Sequence, residues 1–317
     1  MNEEVSISVS AVDKCALLGQ LSGEVQLIER IELFNVLWNE FFDDRNENTG
    51  LKNLRIHLRR LRSIIQLLDP LLLPMGKEWL GFLKATAFGL GSIREFDVAL
   101  NDCRKYELLA GERQADTLDS WQTIEALLLE ERRRRADAWA TTVYRGYVFE
   151  NLKDLLHLLE YAEDTNSEIE VPSKAFVDER LQTWACKLVS RLRADLQSLP
   201  PNQLHLLRIR VKRFHYAYDA FLNNRVDVEL LTSLKEMQDM LGSIHDGQRD
   251  VELLSTLLEH EPEGSALLRE LAAFRSWRLE KKETLWPELA ELKDKLIAEL
   301  EKDIVGYGAQ AVVQERG

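Results

Sequence analysis

The segment LKNLRIHLRRLR, residues 51–62, combines the two patterns that determine the fold and the site. Its leucines recur every three or four residues, which is the spacing of one buried face of an α-helix. Four cations share another face, at offsets of 0, 3, 7 and 10: Lys52, Arg55, Arg59 and Arg62. No acidic residue occurs between residues 51 and 68. The segment therefore predicts a helix that packs by its leucines and presents a stripe of cations.

A second segment, LHLLRIRVKRFH at residues 204–215, aligns with the first one without gaps. Its stripe has the same offsets: His205, Arg208, Lys212 and His215. Further cations widen the two stripes: Arg60, Arg210 and Arg213. A later motif also repeats, as LGSIREFDV from Leu90 and LGSIHDGQRDV from Leu241. Two motifs that recur in order about 150 residues apart indicate a duplicated subdomain, because solenoid repeats run about 20 to 50 residues.

The rest of the chain has helical patterning almost throughout, since 7 prolines and 15 glycines are all that interrupt long runs of Leu, Ala, Glu, Lys and Arg. We predict an all-α fold with helices over 12–42, 51–68, 76–107, 114–162, 174–198, 203–222, 228–258 and 264–302. Two similar helical bundles are assigned to 12–163 and 174–302, with a polar linker between them and tails at 1–11 and 303–317.

Composition limits the class of function and the compartment. The formal net charge is −13, whereas general nucleic-acid binders usually carry a basic excess. The three cysteines lie far apart without a CxxC spacing, which predicts neither disulfides nor a metal site. The first residues, MNEEVSISVS, lack the basic start of a signal peptide, and no apolar run reaches the roughly 18 residues of a membrane span. We expect a cytoplasmic protein with no membrane partner.

Two acid-free helical stretches, residues 51–68 and 203–218, predict an anion site in this acidic protein. A solvated helix face normally mixes signs, because like charges four residues apart repel by a few tenths of a kcal/mol. Both stripes forgo that mixing at corresponding positions. Each stripe spans about 15 Å at about 1.5 Å per residue, which is more than a single phosphate needs. Arginine and lysine both suit phosphate oxygens, so we expect an extended polyanion, bound more tightly near pH 6 than pH 8 if His205 and His215 take part.

The four quoted segments resemble the conserved histidine α-helical domain family, CHAD, whose signature is a His followed by an LRxxxKRxRY-type basic helix. The resemblance covers about residues 12 to 300. It implies two four-helix bundles with pseudo-twofold symmetry around a basic groove or pore, which binds inorganic polyphosphate non-catalytically and needs no cofactor. The chain departs from the signature at Lys52, where His is expected, and at His215, where Arg is expected. It has no ExExK motif of the hydrolase domain fused to some members, so it resembles the stand-alone form.

Additional cations are candidate contributors to the same groove. A charge run is usually solvated, but the resemblance implies that the helix predicted over 114–162 lines the cavity. The candidates on this helix are Arg132, Arg133, Arg135 and Arg145, and those elsewhere are Arg191, Arg193, Lys281 and Lys282. Polyphosphate granules are then a candidate location within the cytoplasm.

Two other functions stay open. The His245-Asp246 pair with Asp250 is similar to HD pairs that hold metal ions, so a metal-dependent phosphoanhydride hydrolase is one alternative. The first repeat has Arg94 and Glu95 at these positions, which favours a structural ion pair. RNA or DNA is the other alternative, although aromatic residues do not alternate with the stripes as base stacking requires. Chain-length preference, oligomeric state, protein partners and cellular role are not encoded in any motif we find.

Overall fold

The computed structural model describes residues 23–314 with gaps at 46–47, 71, 73–75, 111–114, 144, 149, 154, 156, 158–173 and 222–227. All regular secondary structure in this part of the chain is α-helical, which confirms the all-α prediction. The predicted tail at 1–11 and the predicted linker lie outside the described residues. Among the helices described, none has an apolar stretch long enough to cross a membrane.

The described helices follow one another along the chain at positions close to those of the predicted segments. They are α1 (Gly23–Asp43), α2 (Asn48–Leu68), α3 (Gly76–Ala110), α4 (Ala115–Thr142), α5 (Lys174–Leu192), α6 (Pro201–Phe221), α7 (Val228–Leu257) and α8 (Ala266–Gln314). Further helical residues occur between 147 and 157. The stripe-bearing segments lie in α2 and α6, and the LGSI motifs lie in α3 and α7.

Three helix ends differ from the prediction for local reasons. The helix predicted over 114–162 is interrupted after Thr142, where the chain turns at Arg145 and Gly146 before helical residues resume. The end of α5 precedes the predicted end at 198, because the Asp195 carboxylate accepts a hydrogen bond from the Gln197 backbone amide at 3.2 Å and forms a turn. The last helix continues to Gln314, so most of the predicted tail 303–317 is helical.

Two hydrophobic cores hold the stripe-bearing helices in place. The leucines of α2 pack with Trp38 and Phe41 of α1 in the first core, and Leu51, Leu54 and Leu58 are at most 1% exposed. The apolar face of α6 packs with α5, α7 and α8 in the second core, which includes the buried Leu207, Val211 and Phe214. Because each helix buries its apolar face in this way, its basic face is directed elsewhere.

A third core joins the two halves of the chain. It contains Phe96 and Tyr106 of α3, Trp121 of α4, Leu254 of α7 and Phe274 of α8. The Tyr106 and Phe274 rings meet edge to face with their centroids 5.6 Å apart. The first and second halves therefore share a packed aromatic core, in addition to the core that lies mainly within each half.

The stripe-bearing helices α2 and α6 also pack against each other. Arg60 of α2 forms an ion pair with Asp219 of α6 at 3.2 Å. Arg180 of α5 donates hydrogen bonds to the backbone carbonyls of Gln66 and Leu67, at 3.3 and 3.2 Å, and so caps the last turn of α2. These contacts place the two basic stripes in one region of the molecule.

Candidate functional site

The packing of α2 against α6 brings together four predicted site residues that we call the central basic cluster: Arg55, Arg59, Arg208 and Lys212. The positive charges of the three arginines all act on the Lys212 amine. Arg55, Arg59, Arg208 and Lys212 are partly buried, so water screens their mutual repulsion less than it would on an open surface. Such a concentration of like charge favours an anion at this position.

A glycine seats one arginine in each half. A Cβ atom added at Gly91 would lie 3.3 Å from Arg55 Nη1, and one added at Gly242 would lie 3.2 Å from Arg208 Nη2. Both glycines belong to the repeated LGSI motif. The absence of a side chain lets each guanidinium lie directly against the backbone of the next helix.

The two seated arginines have different partners. Arg55 donates from Nη1 to the backbone carbonyl of Ala87 at 3.3 Å. Burial lowers the pKa of Arg55 to about 10, with further contributions from the charges of Arg59 and Arg94. At neutral pH Arg55 is therefore a fixed cation held by a neutral acceptor.

Arg208 instead lies against the HD pair. Its Nη2 donates to Asp246 Oδ2 at 3.1 Å, and its Nη1 lies 3.2 Å from His245 Nδ1. The His245 ring stacks on His205, with centroids 4.6 Å apart. Burial alone would raise the pKa of Asp246, but the hydrogen bond from His245 and the charge of Arg208 bring it below its ordinary value. The HD pair thus serves as an arginine partner in this structure.

Lys212 connects the central basic cluster to a cavity of about 300 Å³ between α3, α6, α7 and α8. Burial and the charges of Arg208, Arg59 and Arg55 lower the pKa of Lys212 to about 6. The charged residues of the cavity wall include Arg208, Lys212, Asp246, Asp102, Lys105 and Lys281. Asp102 accepts from Lys105 at 2.9 Å. Of the predicted additional residues, Lys281 is therefore the one that the structure brings to this cavity.

The histidines of the second stripe are less basic than free histidine. Burial and then the charges of His245 and Arg208 lower the pKa of His205. Burial is likewise the main cause that lowers the pKa of His215, whose ring stacks on Tyr216 at 5.3 Å. Both side chains are neutral near pH 7, so a response of binding between pH 6 and 8 falls mainly to Lys212.

The arginines along both stripes carry buried donors without acceptors. In the described part of the chain, five Nε atoms are buried and have no hydrogen-bond partner: those of Arg59, Arg60, Arg62, Arg208 and Arg213. Their planes are held by aromatic rings in two cases, since Arg59 lies over Tyr216 at 5.8 Å and Arg213 over Trp184 at 4.3 Å. Buried polar groups normally have partners, so these donors have hydrogen-bonding capacity that the described side chains and backbone do not use.

The outer members of the stripes are placed around this cluster. Lys52 is exposed at the beginning of its stripe, and Arg210 is partly exposed. Arg62 lies within reach of the charge of Arg59. Arg60 is engaged with Asp219 through its Nη2 atom. These residues stay predicted ligands at the ends and edges of the two basic stripes.

Most of the additional candidates have carboxylate partners of their own. Arg132 is 4% exposed and donates from Nε to Asp97 at 2.5 Å. The exposed Arg133 pairs with Glu130 at 2.7 Å, and Arg135 pairs with Glu131 at 3.0 Å. Arg145 pairs with Asp43, and Arg193 with Glu301. Arg191 is exposed on α5, and Lys282 lies over the Trp286 ring at 5.9 Å.

Asp250 also lies in an ion pair, deep in the protein. It is 3% exposed and lies 3.1 Å from Arg278 Nη2, while Arg278 Nη1 donates to Asp102 at 2.8 Å. Burial raises the pKa of Asp250, and the Asp102 charge acts in the same direction. The described residues contain no group of three or more His, Cys, Asp or Glu side chains placed to hold a metal ion.

Three contributions to the site are not apparent from the stripes. The glycines that contact Arg55 and Arg208, Gly91 and Gly242, could have been noticed in the sequence. A glycine inside a helix costs about 1 kcal/mol relative to alanine, and both LGSI motifs have one at the same position. Lys105 and Asp102 could not have been noticed, since they lie outside every repeated segment. Their role in the cavity depends on how α3 crosses α6 and α7.

Comparison with known proteins identifies the fold and the family. The model of the family described as the CHAD domain matches residues 33–255, which is more than half of the chain. This chain belongs to the CHAD family. No curated protein matches it in a sequence search. A crystal structure of the CHAD domain from the plant Ricinus communis has a TM-score of 0.62 at 22% identity, covering 87% of this chain and 88% of the other.

A second solved structure supports the same fold. PptA from Streptomyces chartreusis matches with a TM-score of 0.61 at 14% identity, covering 87% of this CHAD chain and 100% of the other. At these identities the likeness concerns the fold. The duplicated bundles and the basic groove of this CHAD protein stay predictions from its sequence.

Proposed function

We propose that this CHAD protein binds inorganic polyphosphate along α2 and α6 without hydrolysing it. The observation that carries the proposal is the set of buried guanidinium nitrogens without acceptors, which accompanies two acid-free stretches, residues 51–68 of α2 and 203–218 of α6. An anion with many oxygens in a row satisfies several of these donors at once. Each charge-assisted hydrogen bond is roughly twice as strong as a neutral one.

The shape of the site favours an extended chain of phosphates. The central basic cluster draws Arg55 and Arg59 from one helix and Arg208 and Lys212 from the other, so a single ligand contacts both halves. From the cluster, the cavity leads past Lys212 toward Lys105 and Lys281. A repeating phosphate chain carries negative charge along this whole track, whereas one phosphate neutralises only part of it.

The surroundings of the cluster are poorly suited to nucleic-acid bases. Tyr216 is 5% exposed, and its ring lies beneath Arg59 and beside His215, so its face is already covered. Trp184 is 8% exposed and lies beneath Arg213. Base stacking needs accessible aromatic faces. Contacts to a phosphate backbone need only the cations.

The proposal is tested by titrating the protein with long-chain polyphosphate and, at matched phosphate concentration, with RNA. Reversing two site charges, Arg208→Glu with Arg213→Glu, should weaken polyphosphate binding on the order of a hundredfold, because two contacts are lost and two repulsions are added. The matched control reverses two exposed arginines of α8, Arg269→Glu with Arg275→Glu, which changes net charge equally.

Salt provides a second readout of the same titration. Binding made of phosphate contacts should weaken steeply as salt is raised, and the log of affinity should fall linearly with the log of salt concentration. Equal losses in the site variant and the α8 control would show that only net charge matters. Binding that prefers RNA, or that responds little to salt, would contradict the proposal.

A further inference from the structure

The amine of Lys212 has no described binding partner and borders a cavity. No described hydrogen bond or ion pair uses its Nζ atom, although the residue borders the cavity. The nearby carboxylate, Asp246, is engaged by Arg208 at 3.1 Å and by His245 at 3.0 Å. The amine thus faces a solvent-accessible space while its possible counterion is occupied.

The charges that face this amine come from every surrounding helix. Arg55 and Arg59 face it from α2, Arg208 from its own helix, and Asp246 from α7. Across the cavity lie Asp102 and Lys105 of α3, Asp239 of α7 and Lys281 of α8. Burial and the three arginines lower the pKa of Lys212 to about 6, so the amine is mostly neutral at pH 7 and keeps its lone pair. Desolvated lysines beside other cations form Schiff bases with carbonyl compounds.

We propose that Lys212 captures small phosphorylated aldehydes as Schiff bases, with the arginines of the central basic cluster holding the phosphate. The amine nitrogen attacks the carbonyl carbon, the carbinolamine loses water, and a C=N bond replaces the C=O bond. The two amine hydrogens leave with the carbonyl oxygen as water, and nothing is oxidised or reduced. A cavity of about 300 Å³ is at the lower end of the range for small-molecule sites and accommodates such a compound.

The two other lysines of the cavity are less suited to this reaction. The Lys105 amine donates to Asp102 at 2.9 Å and its side chain is half exposed, so the amine already has a carboxylate partner. Lys281 lies over the Trp277 ring at 5.1 Å; burial lowers its pKa, but the charge of Asp102 acts against that shift. Neither amine has three guanidinium groups around it to hold a phosphate.

Pyridoxal 5′-phosphate is the probe, since it carries both an aldehyde and a phosphate. The protein is incubated with it at pH 7, the imine is trapped with borohydride, and the labelled peptide is mapped by mass spectrometry. Lys212 should be labelled on the order of tenfold or more faster than the surface lysines, because far more of its amine is unprotonated. Pyridoxal, which lacks the phosphate, should label it about tenfold more slowly.

Two variants and a pH profile make the test decisive. Lys212→Arg replaces the amine with a permanently charged guanidinium and should lose the label, whereas Lys281→Arg in the same cavity should keep it. The labelling rate of Lys212 should rise through about pH 6 and level off above about pH 7, where most of its amine is neutral, while an ordinary lysine continues to gain rate up to about pH 10. Label spread over surface lysines, retained in Lys212→Arg, or rising in rate up to pH 10 would overturn the proposal.

The reaction does not depend on polyphosphate, so the two proposals fail separately. Mapping in the wild-type protein answers the question even where a variant folds poorly. Long-chain polyphosphate should also protect Lys212 from the probe if it occupies the central basic cluster. Labelling of Lys212 without such protection would support the Schiff base and count against the proposed ligand.

Discussion

Arg55 and Arg208 occupy matching positions in the two repeated segments and rest against matching glycines, yet their partners differ. Arg55 donates to a backbone carbonyl, whereas Arg208 is engaged by Asp246 and His245. The next stripe position repeats the contrast, since Arg59 in the first half corresponds to Lys212 in the second. At these two positions the first half thus supplies permanent charge without a described carboxylate partner. The second half supplies charge that is partly neutralised and that titrates.

Breaking the buried ion pairs should have the largest effect, a loss of free energy of unfolding, and the size of this loss should differ between the two halves. Arg278→Met leaves Asp250 without its described ion-pair partner, whereas Arg132→Met leaves Asp97 with Arg94 at 3.2 Å. Removing one partner of a buried pair costs about 3–5 kcal/mol, so we expect Arg278→Met near the upper end and Arg132→Met near the lower end.

Urea unfolding measures both free energies. The exposed pair between Arg249 and Glu95 is the control, and Arg249→Met should cost no more than about 1 kcal/mol. A larger loss for Arg132→Met than for Arg278→Met would reverse the comparison between the halves.

The pH dependence of binding should be a property of the second half. A polyanion stabilises the ammonium form of Lys212, so its pKa in the complex rises above the value of about 6 in the free protein. Binding then takes up a proton, and affinity increases as pH falls from 8 to 6 and levels off below 6. We expect a change of about tenfold, which the variant Lys212→Arg should largely remove because it makes the second half resemble the first.

The histidines are the matched comparison for this measurement. The double variant His205→Gln with His215→Gln should keep most of the pH dependence, because burial holds both imidazoles neutral over most of this range. Titrations of polyphosphate at pH 6, 7 and 8 decide between the two sources. If the pH dependence of binding were lost in the histidine variant and kept in Lys212→Arg, the histidines would be its source, as the sequence predicted.

The seating glycines should give the smallest effect, equal in the two halves. Gly91→Ala and Gly242→Ala each force a guanidinium to move by a few tenths of an ångström. We expect polyphosphate affinity to fall about threefold for each, or about 0.6 kcal/mol. Helix stability should not fall, since alanine is the better helix former.

Gly81→Ala on α3 is the control for both variants, because a Cβ there meets nothing within 4 Å. It should leave affinity unchanged in the same titration. If Arg208→Lys is combined with Gly242→Ala, the second change should have no further effect, since the longer guanidinium is no longer there to be displaced.

The sequence predicted the helices and the stripes because both depend on local periodicity. The leucine spacing of residues 51–68 and the absence of acids are visible without any tertiary contact. The ion-pair and hydrogen-bond partners of the site residues could not be predicted from local periodicity. Arg132 was a candidate ligand because the family resemblance implies that its helix lines the cavity, but Asp97 of another helix holds it in the interior. Asp246 was a candidate metal ligand, and its contact with Arg208 depends on how α6 and α7 pack.

The reactive environment of Lys212 illustrates the same limit. In sequence it is one cation among several, and its ordinary pKa predicts a charged amine. Its burial arises from α6, but two of the three arginines that act on it come from α2, more than a hundred residues earlier. A shift with distant causes of this kind follows only from the packed structure.

The third core has a consequence for the order in which the molecule is made. Phe96, Tyr106 and Trp121 emerge from the ribosome well before Phe274, which completes their packing. Domains generally fold as units during synthesis, N-terminal first. Here the earlier half cannot cover its aromatic surface until the later half arrives. The nascent chain therefore exposes an apolar patch through about half of its synthesis, and a truncated product keeps it.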